Sequence, residues 1–230
     1  FNLSEICSKF DIDTNIQPYG NGHINDTYLC ETAPRFILQR LNTNVFENPA
    51  QVMNNIVHVT QFLSKKIEEN GGNPASETLT VIFTKDGKSY YKADDKNYFR
   101  MYLFIENSVS YDLVENPIQL YYAGRAFGRF QAMLNGFPAD SLYETIKDFH
   151  NTPERVKQLE QAIENNSAGR LEYAKKEIEF ARKFSKYASR ITDKMKDGSV
   201  PLRVTHNDTK LNNILFDKDN NEKSCVIDLD

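Results

Sequence analysis

Cysteine is scarce in this chain. Three are spread over 230 residues, at Cys7, Cys30 and Cys225. An odd number of distant cysteines excludes a disulfide frame and reads as free thiols in a reducing cytoplasm. Histidine is no commoner, with four residues. No Cys/His pair stands at ligand spacing, which argues against a structural zinc site. A basic excess is missing as well. Lys and Arg number 28 against 32 Asp and Glu, for a formal charge of -4. A nucleic-acid binder normally shows the opposite balance. No apolar run approaches the roughly 20 residues of a membrane span. The opening "FNLSEICSKFDIDTN" scatters charge where a signal peptide would have an apolar core. There is no internal repeat and no low-complexity tract. What remains is 40% hydrophobic and 26% charged residues, enough for one large domain or two lobes sharing a cleft.

The first hundred residues read mainly as strands. "IQPYGNGHINDTYLCET" is a strand, a Gly/Asn turn and a second strand. "PRFILQRLN" is a third, with Phe36, Leu38 and Arg40 on one face and Ile37, Gln39 and Leu41 on the other. "FENPAQVMNNIVHVTQFLSKKIEENGG" is a helix capped by Asn48 with Pro49 at its first position. Val52, Ile56, Val59 and Leu63 recur at helical spacing. "TLTVIFT", "KSYYKA" and "NYFRMYLFI" are further strands. After a connector near residues 106–112 the pattern turns helical. Asn116-Pro117 starts a helix expected to bury Leu120, Ala123, Phe127 and Leu134, and Thr152-Pro153 caps another. A charged segment follows with an apolar stripe of Leu171, Ala174, Ile178, Ala181, Ala188 and Ile191. The expected architecture is α+β: an antiparallel-sheet lobe over residues 1–105 and a mainly helical lobe over 106–230.

The last stretch carries the chemistry. "VTHNDTKLNNILFDKDNNEKSCVIDLD" holds His206-x-Asp208, then Asn213, then Asp228 and Asp230. "ILF" and "CVI" are short apolar strands around a polar turn. A turn centred on Asn220-Asn221 puts Asn213 opposite Asp228, where opposed Cα atoms lie about 4.5–5.5 Å apart. A carboxamide and a carboxylate could then share one cation, with Asp230 as a further candidate ligand. Oxygen ligands of this kind suit Mg²⁺, which takes its other ligands from water and phosphate. Asp208 could accept a proton from an attacking hydroxyl. Lys210 could neutralise charge on a transferring phosphoryl group. His206 suits a bracing role. His-x-Asp-x4-Asn followed by a strand-ending Asp is the spacing of a kinase catalytic loop and metal-binding loop.

"THNDTKLNNILFD" and "VIDLD" resemble the two signature loops of the aminoglycoside phosphotransferase and choline kinase family, a small-molecule branch of the protein-kinase-like, two-lobed fold. "YGNGHINDTY", "RFILQRLN", "VFENPAQVMNNI", "FIENSVSYDLV" and "FHNTPERV" are similar to segments of its N-acetylhexosamine 1-kinase group. The resemblance spans about Pro18 to Asp230. It implies Asp208 as catalytic base, Asn213 and Asp228 as Mg²⁺ ligands, and ATP as donor. "GNGHIN" would turn over the phosphates with Gly20, Gly22, His23 and Asn25. Phe104, Ile105 and Glu106 would meet the adenine ring. The implied reaction is phosphorylation of the anomeric hydroxyl of an N-acetylhexosamine. His23, Ile24, Asp148 and His150 are candidates for acceptor contact.

Two departures accompany the resemblance. A kinase pairs a strand-three Lys with a helix Glu. Here Arg40 is aligned to the Lys, and the helix offers no Glu between Asn48 and Lys66. The family's helices beyond the metal loop are also missing. They, or a partner chain, are expected to complete the helical lobe, and the 230 residues alone are expected to turn over poorly. Rival readings are a kinase for another alcohol (choline, homoserine, methylthioribose or an aminoglycoside) and a non-catalytic nucleotide-binding fragment. No nucleic-acid or membrane partner is expected.

Overall fold

A computed structural model describes residues 1–20, 24–220 and 222–230. The chain divides into two compact units, residues 1–146 with 204–230, and residues 147–203. In the first unit, α1 (Leu3–Ser8) precedes β1 (Ile16–Pro18), β2 (Asp26–Cys30) and β3 (Phe36–Asn42). Then come α2 (Pro49–Glu69), α3 (Pro74–Glu77), β4 (Val81–Ile82), β5 (Tyr91–Lys92), β6 (Asn97–Leu103) and β7 (Ser108–Val109). Helix α4 spans Pro117–Met133. The second unit holds α5 (Thr152–Asn165), α6 (Lys175–Ser185) and α7 (Arg190–Lys196). The chain closes on β8 (Ile214–Asp217) and β9 (Ser224–Val226). All strand pairings are antiparallel: β1-β2-β3-β6-β4 with β5 also on β6, and a small sheet β7-β8-β9.

The large sheet is covered on both faces, and alternation decides which residue meets which cover. Phe36 and Leu38 of β3 join Phe99 and Met101 of β6 against Ile6, Cys7 and Phe10 of α1 and its exit. Ile37, Leu41 and Tyr102 lie on the other face, with Val52, Met53 and Ile56 of α2. Helix α2 starts where the Asn48 side chain accepts a hydrogen bond from the Gln51 N–H, with Pro49 next. Both features favour initiation, by satisfying a free donor and by presetting φ. Its C-terminal half, Val59, Leu63 and Ile67, packs on Ala123, Ala126, Phe130 and Leu134, and on Ile214, Phe216 and Val226 of the hairpin. One helix thus anchors both sheet and hairpin. Each such fully buried aliphatic side chain contributes about 1.5–3 kcal/mol.

Several expectations are corrected. Leu120 is exposed; α4 instead buries Ala126 and Phe130 beside Ala123 and Leu134. The helix begun at Thr152 is capped by Asn151, whose side chain accepts from the Glu154 N–H. The connector contains β7, which pairs with β8. In the 147–203 unit no side chain is fully buried. Its charged segment breaks into a 3₁₀ turn, α6 and α7, and Ile191 is exposed. An Arg182–Glu160 ion pair at 2.6 Å ties α6 to α5. No described helix is long and apolar enough to cross a membrane.

Candidate active site

The site grows from the β8–β9 hairpin. Asp217 turns its side chain into the loop, where Oδ1 accepts from the N–H groups of Asp219 and Asn220 at 2.9 and 3.0 Å. The Asp217 N–H in turn reaches the Lys223 carbonyl at 3.1 Å. That capture pivots the turn on Asn220. Ile214 therefore pairs with Val226, and Asn213 stands opposite Ile227, with the Ile227 N–H donating to the Asn213 carbonyl at 2.9 Å. The expected Asn213–Asp228 opposition is off by one residue. Asp228 lies just past that pair, with φ of +64°, a left-handed conformation that Asp tolerates better than most residues. It bends the chain out of the strand direction.

His206 joins the two arms of the hairpin. Its Nε2–H donates to the Ile227 carbonyl at 2.7 Å, and its Nδ1 accepts from the Asp208 N–H at 3.3 Å. Because the backbone N–H can only donate, Nδ1 is the unprotonated nitrogen. The ring edges rest on Phe127 and Phe130 of α4, at centroid distances of 5.4 and 5.9 Å. His206 braces the loop that presents Asp208.

Asp208 is half-exposed, and its Oδ2 faces Lys210 Nζ at 2.9 Å. The buried Asn213 donates through Nδ2 to the Asp208 carbonyl and to Oδ2, at 2.9 and 3.1 Å. The carbonyl contact fixes the amide orientation and turns Asn213 Oδ1 away from Asp208. The hydrogen bond from Lys210, with a smaller one from Asn213, holds the Asp208 carboxyl below the usual carboxylate range. The same contact raises the Lys210 ammonium. Asp208 is ionised and Lys210 protonated at neutral pH.

Asp228 has the opposite character. Burial pushes its carboxyl upward, and the neighbouring Asp230 charge adds to that shift. Among the described residues no donor hydrogen-bonds the Asp228 carboxylate. A mostly buried carboxylate without a donor, one residue past the pair of Asn213 and Ile227, fits a hard divalent cation. No group of three His, Cys, Asp or Glu side chains forms a protein-only cage among the described residues. Such a cation would therefore draw further ligands from water and substrate.

Asp230 stands elsewhere. Both its oxygens are taken by the Arg100 guanidinium, with Nη2 at 2.9 Å from Oδ2. Asn25 Nδ2 adds a bond to Oδ2 at 2.7 Å. Asn25 is itself fixed, its Oδ1 accepting from the Asn42 N–H at 3.0 Å. Arg100 is 2% exposed and its Nε donates to Gln39 Oε1 at 3.0 Å. Removing one partner of such a pair leaves a buried charge uncompensated, at about 3–5 kcal/mol.

Arg40 is not brought to this cluster. In the β3–β6 register Arg40 opposes Phe99, whereas Gln39 opposes Arg100. Adjacent strand residues point to opposite faces. Arg40 therefore shares the α1 face, where it pairs with Asp26 and bonds Asn97 Oδ1 at 3.0 Å. Arg100 was missed by sequence reasoning. Its signal was a lone charge in the apolar strand "NYFRMYL", on the face shared with Tyr98 and Tyr102.

The remaining candidates are scattered. Gly20 has φ of +74°, which glycine takes without strain. Gly22 and His23 lie outside the described residues. Ile24 is 49% exposed. Phe104 carries the Arg35 guanidinium over its ring at 4.1 Å, Ile105 is buried, and Arg35 also forks onto Glu106. The connector is thereby braced from the start of β3. Asp148 and His150 belong to the 147–203 unit. There Asp148 accepts from Asn151 Nδ2 at 2.8 Å, and His150 lies against the Phe149 ring at 4.5 Å.

The chain covers 99% of itself and 71% of APH(2")-IIia, solved as a GDP and kanamycin complex, at 14% identity and a TM-score of 0.63. It covers 99% of itself and 68% of a microcompartment-associated aminopropanol kinase, at 16% identity and 0.56. An aminoglycoside phosphotransferase from Alicyclobacillus acidocaldarius subsp. acidocaldarius matches 98% of this chain and 64% of its own, at 14% and 0.52. At these identities the likeness speaks for the fold alone, and the fold is the protein-kinase-like α+β arrangement of a sheet followed by helices. The sequence profile described as "Phosphotransferase enzyme family" matches residues 15–230, from the start of the sheet through the Asp228 loop. The chain belongs to that phosphotransferase family.

Proposed function

We propose that the protein transfers the γ-phosphoryl group of ATP to the anomeric hydroxyl of an N-acetylhexosamine. One observation carries the phosphotransfer reading: an ionised Asp208, tied to Lys210 and the buried Asn213, lies in the loop that enters the hairpin whose far end carries the donor-free carboxylate of Asp228. The sugar as acceptor rests on the resemblance of "RFILQRLN", "VFENPAQVMNNI", "FIENSVSYDLV" and "FHNTPERV" to the N-acetylhexosamine 1-kinase group.

In this reading the acceptor hydroxyl approaches Asp208 Oδ2. Its oxygen attacks the γ-phosphorus in line as the bond to the β–γ bridging oxygen breaks. The bonding pair leaves with ADP, and the hydroxyl proton passes to Asp208. A carboxyl held this low is a weak base, so its main contribution is to orient the hydroxyl and accept its proton late in a loose transition state. Lys210, within reach of Asp208, balances charge on the equatorial phosphoryl oxygens. Asn213 and Asp228 would hold Mg²⁺, which when bound offsets the charge of the nucleotide phosphates. Most of the acceleration then comes from positioning and fixed charge.

The test is a phosphoryl-acceptor panel with ATP and Mg²⁺ on the protein. It includes N-acetylhexosamines, choline, amino alcohols and an aminoglycoside, with products read by ³¹P NMR. The expected product is a sugar 1-phosphate. Asp208→Asn should lower kcat by about 10²–10⁴-fold while sparing nucleotide binding. Phosphorylation of a different acceptor would overturn the sugar assignment. Unaltered turnover in Asp208→Asn would overturn the catalytic one.

A further inference from the structure

A kinase of this spacing pairs a strand-three Lys with a helix Glu, and this chain has neither. Position 39, whose side chain shares the sheet face of Arg100, is Gln, and α2 carries no acid between Asn48 and Lys66. Yet a buried charge pair is present. Its cation is Arg100, directly across the ladder from Gln39. Its anion is Asp230, two residues beyond Asp228 and 130 residues from Arg100 in sequence.

We infer that the Arg100–Asp230 pair takes over the job of the missing Lys–Glu pair: it fixes the Asp228 loop against the nucleotide-side sheet, making Arg100 a positioning residue for phosphoryl transfer. The inference rests on the phosphotransfer reading above. Three features carry it. All the guanidinium's nitrogens have partners, Nε on Gln39 and the two terminal ones on Asp230. These bonds tie Nε and both terminal nitrogens within the network, and Arg100 acts through Asp230. Asp230 also receives Asn25, just before β2. The entry to β2, the sheet and the metal loop thus meet on one carboxylate. Finally, Gln39 is held in turn by Thr27 of β2, with Nε2 donating to Thr27 Oγ1 at 3.0 Å. The network crosses β2, β3 and β6 and leaves the guanidinium little room to turn.

Loss of either Arg100 or Asp230 frees the loop that carries Asp228, so cation binding there should weaken.

Mn²⁺ binding in the presence of ATP, followed by electron paramagnetic resonance without any acceptor, tests this independently of turnover. Arg100→Met is expected to weaken Mn²⁺ binding at least tenfold and to lower kcat more than it raises KM for acceptor. Arg100→Lys, which keeps charge but cannot fork, should recover part of both. Arg100→Met/Asp230→Asn should be no worse than Arg100→Met alone, as expected of residues acting as one unit. If the Met variant does not fold, Asn25→Ala is the second probe, because it removes one bond to Asp230 and leaves the ion pair in place. It should weaken Mn²⁺ binding several-fold with little change in acceptor KM. Wild-type Mn²⁺ affinity and kcat in folded Arg100→Met, or in Asn25→Ala where Arg100→Met does not fold, would overturn the inference, as would losses that multiply in the double variant. An inactive wild type that still binds Mn²⁺ and ATP in an Arg100-dependent manner would instead sink the phosphotransfer reading and keep the clamp.

Discussion

Replacing His206 by Phe separates a brace from a proton carrier. Phe keeps a ring against Phe127 and Phe130 but removes both nitrogens. The Ile227 carbonyl then loses its 2.7 Å donor, while still facing the protein interior. A stranded buried acceptor costs about 1–3 kcal/mol. The Asp208 N–H loses a longer, weaker contact at 3.3 Å, for about 0.5–1.5 kcal/mol more. The expected loss is about 1.5–4.5 kcal/mol, or a fall in Tm of about 3–18 °C for a chain of this size. Urea unfolding should show a lower midpoint at constant slope. kcat should fall because the Asp208 backbone is no longer tethered to the ring, and the shape of the pH–rate profile should not change. Wild-type stability and kcat in His206→Phe would refute the bracing argument. Loss of a limb from the pH–rate profile would show instead that His206 moves a proton.

Three further outcomes follow from the same geometry. Asp208 is held low by Lys210, so the acid limb of kcat/KM should lie below the ordinary carboxylate value of about 4. Lys210→Ala should move it up toward that value, and a wild-type limb assigned to Asp208 well above 4 would contradict the ion pair. The sign for stability is the same, since a depressed carboxyl stabilises the fold above its unfolded pKa and loses that contribution as pH falls through the folded one. Phe130, 4% exposed among α2, α4 and the hairpin, should cost about 3–5 kcal/mol when cut to Ala, read as a drop in urea midpoint. Cys7, Cys30 and Cys225 are all buried and free. An aromatic disulfide reagent should titrate no thiol in the native protein and three after denaturation, and a fast native reaction would show a more open core.

Much of the local structure was legible because short-range chemistry fixes it. Asn48-Pro49 announced α2 by capping, and the 3.6-residue recurrence of Val52, Ile56, Val59 and Leu63 gave its buried stripe. Alternation along "FILQRLN" already separated Gln39 from Arg40, yet aligning the kinase lysine with Arg40 passed over that separation. The spacing of His206, Asp208 and Asn213 was readable because all three act within one loop and its following strand. The hairpin register slipped by one because the Asp217 side chain gathers two turn N–H groups, a choice that strand patterning does not encode.

The sequence by itself determined the elements, their caps and faces, and the acid–amide spacing, since each depends on neighbours within a turn or a strand pair. Only tertiary structure decided that Asp230 serves Arg100 and Asn25, that Arg40 faces α1, and that His206 seats between α4 and the hairpin. Those outcomes depend on how the hairpin docks across 130 residues onto the face of a sheet. There, burial makes an unpaired charge too costly to leave, so the nearest opposite charge in space takes it, whatever its distance along the chain.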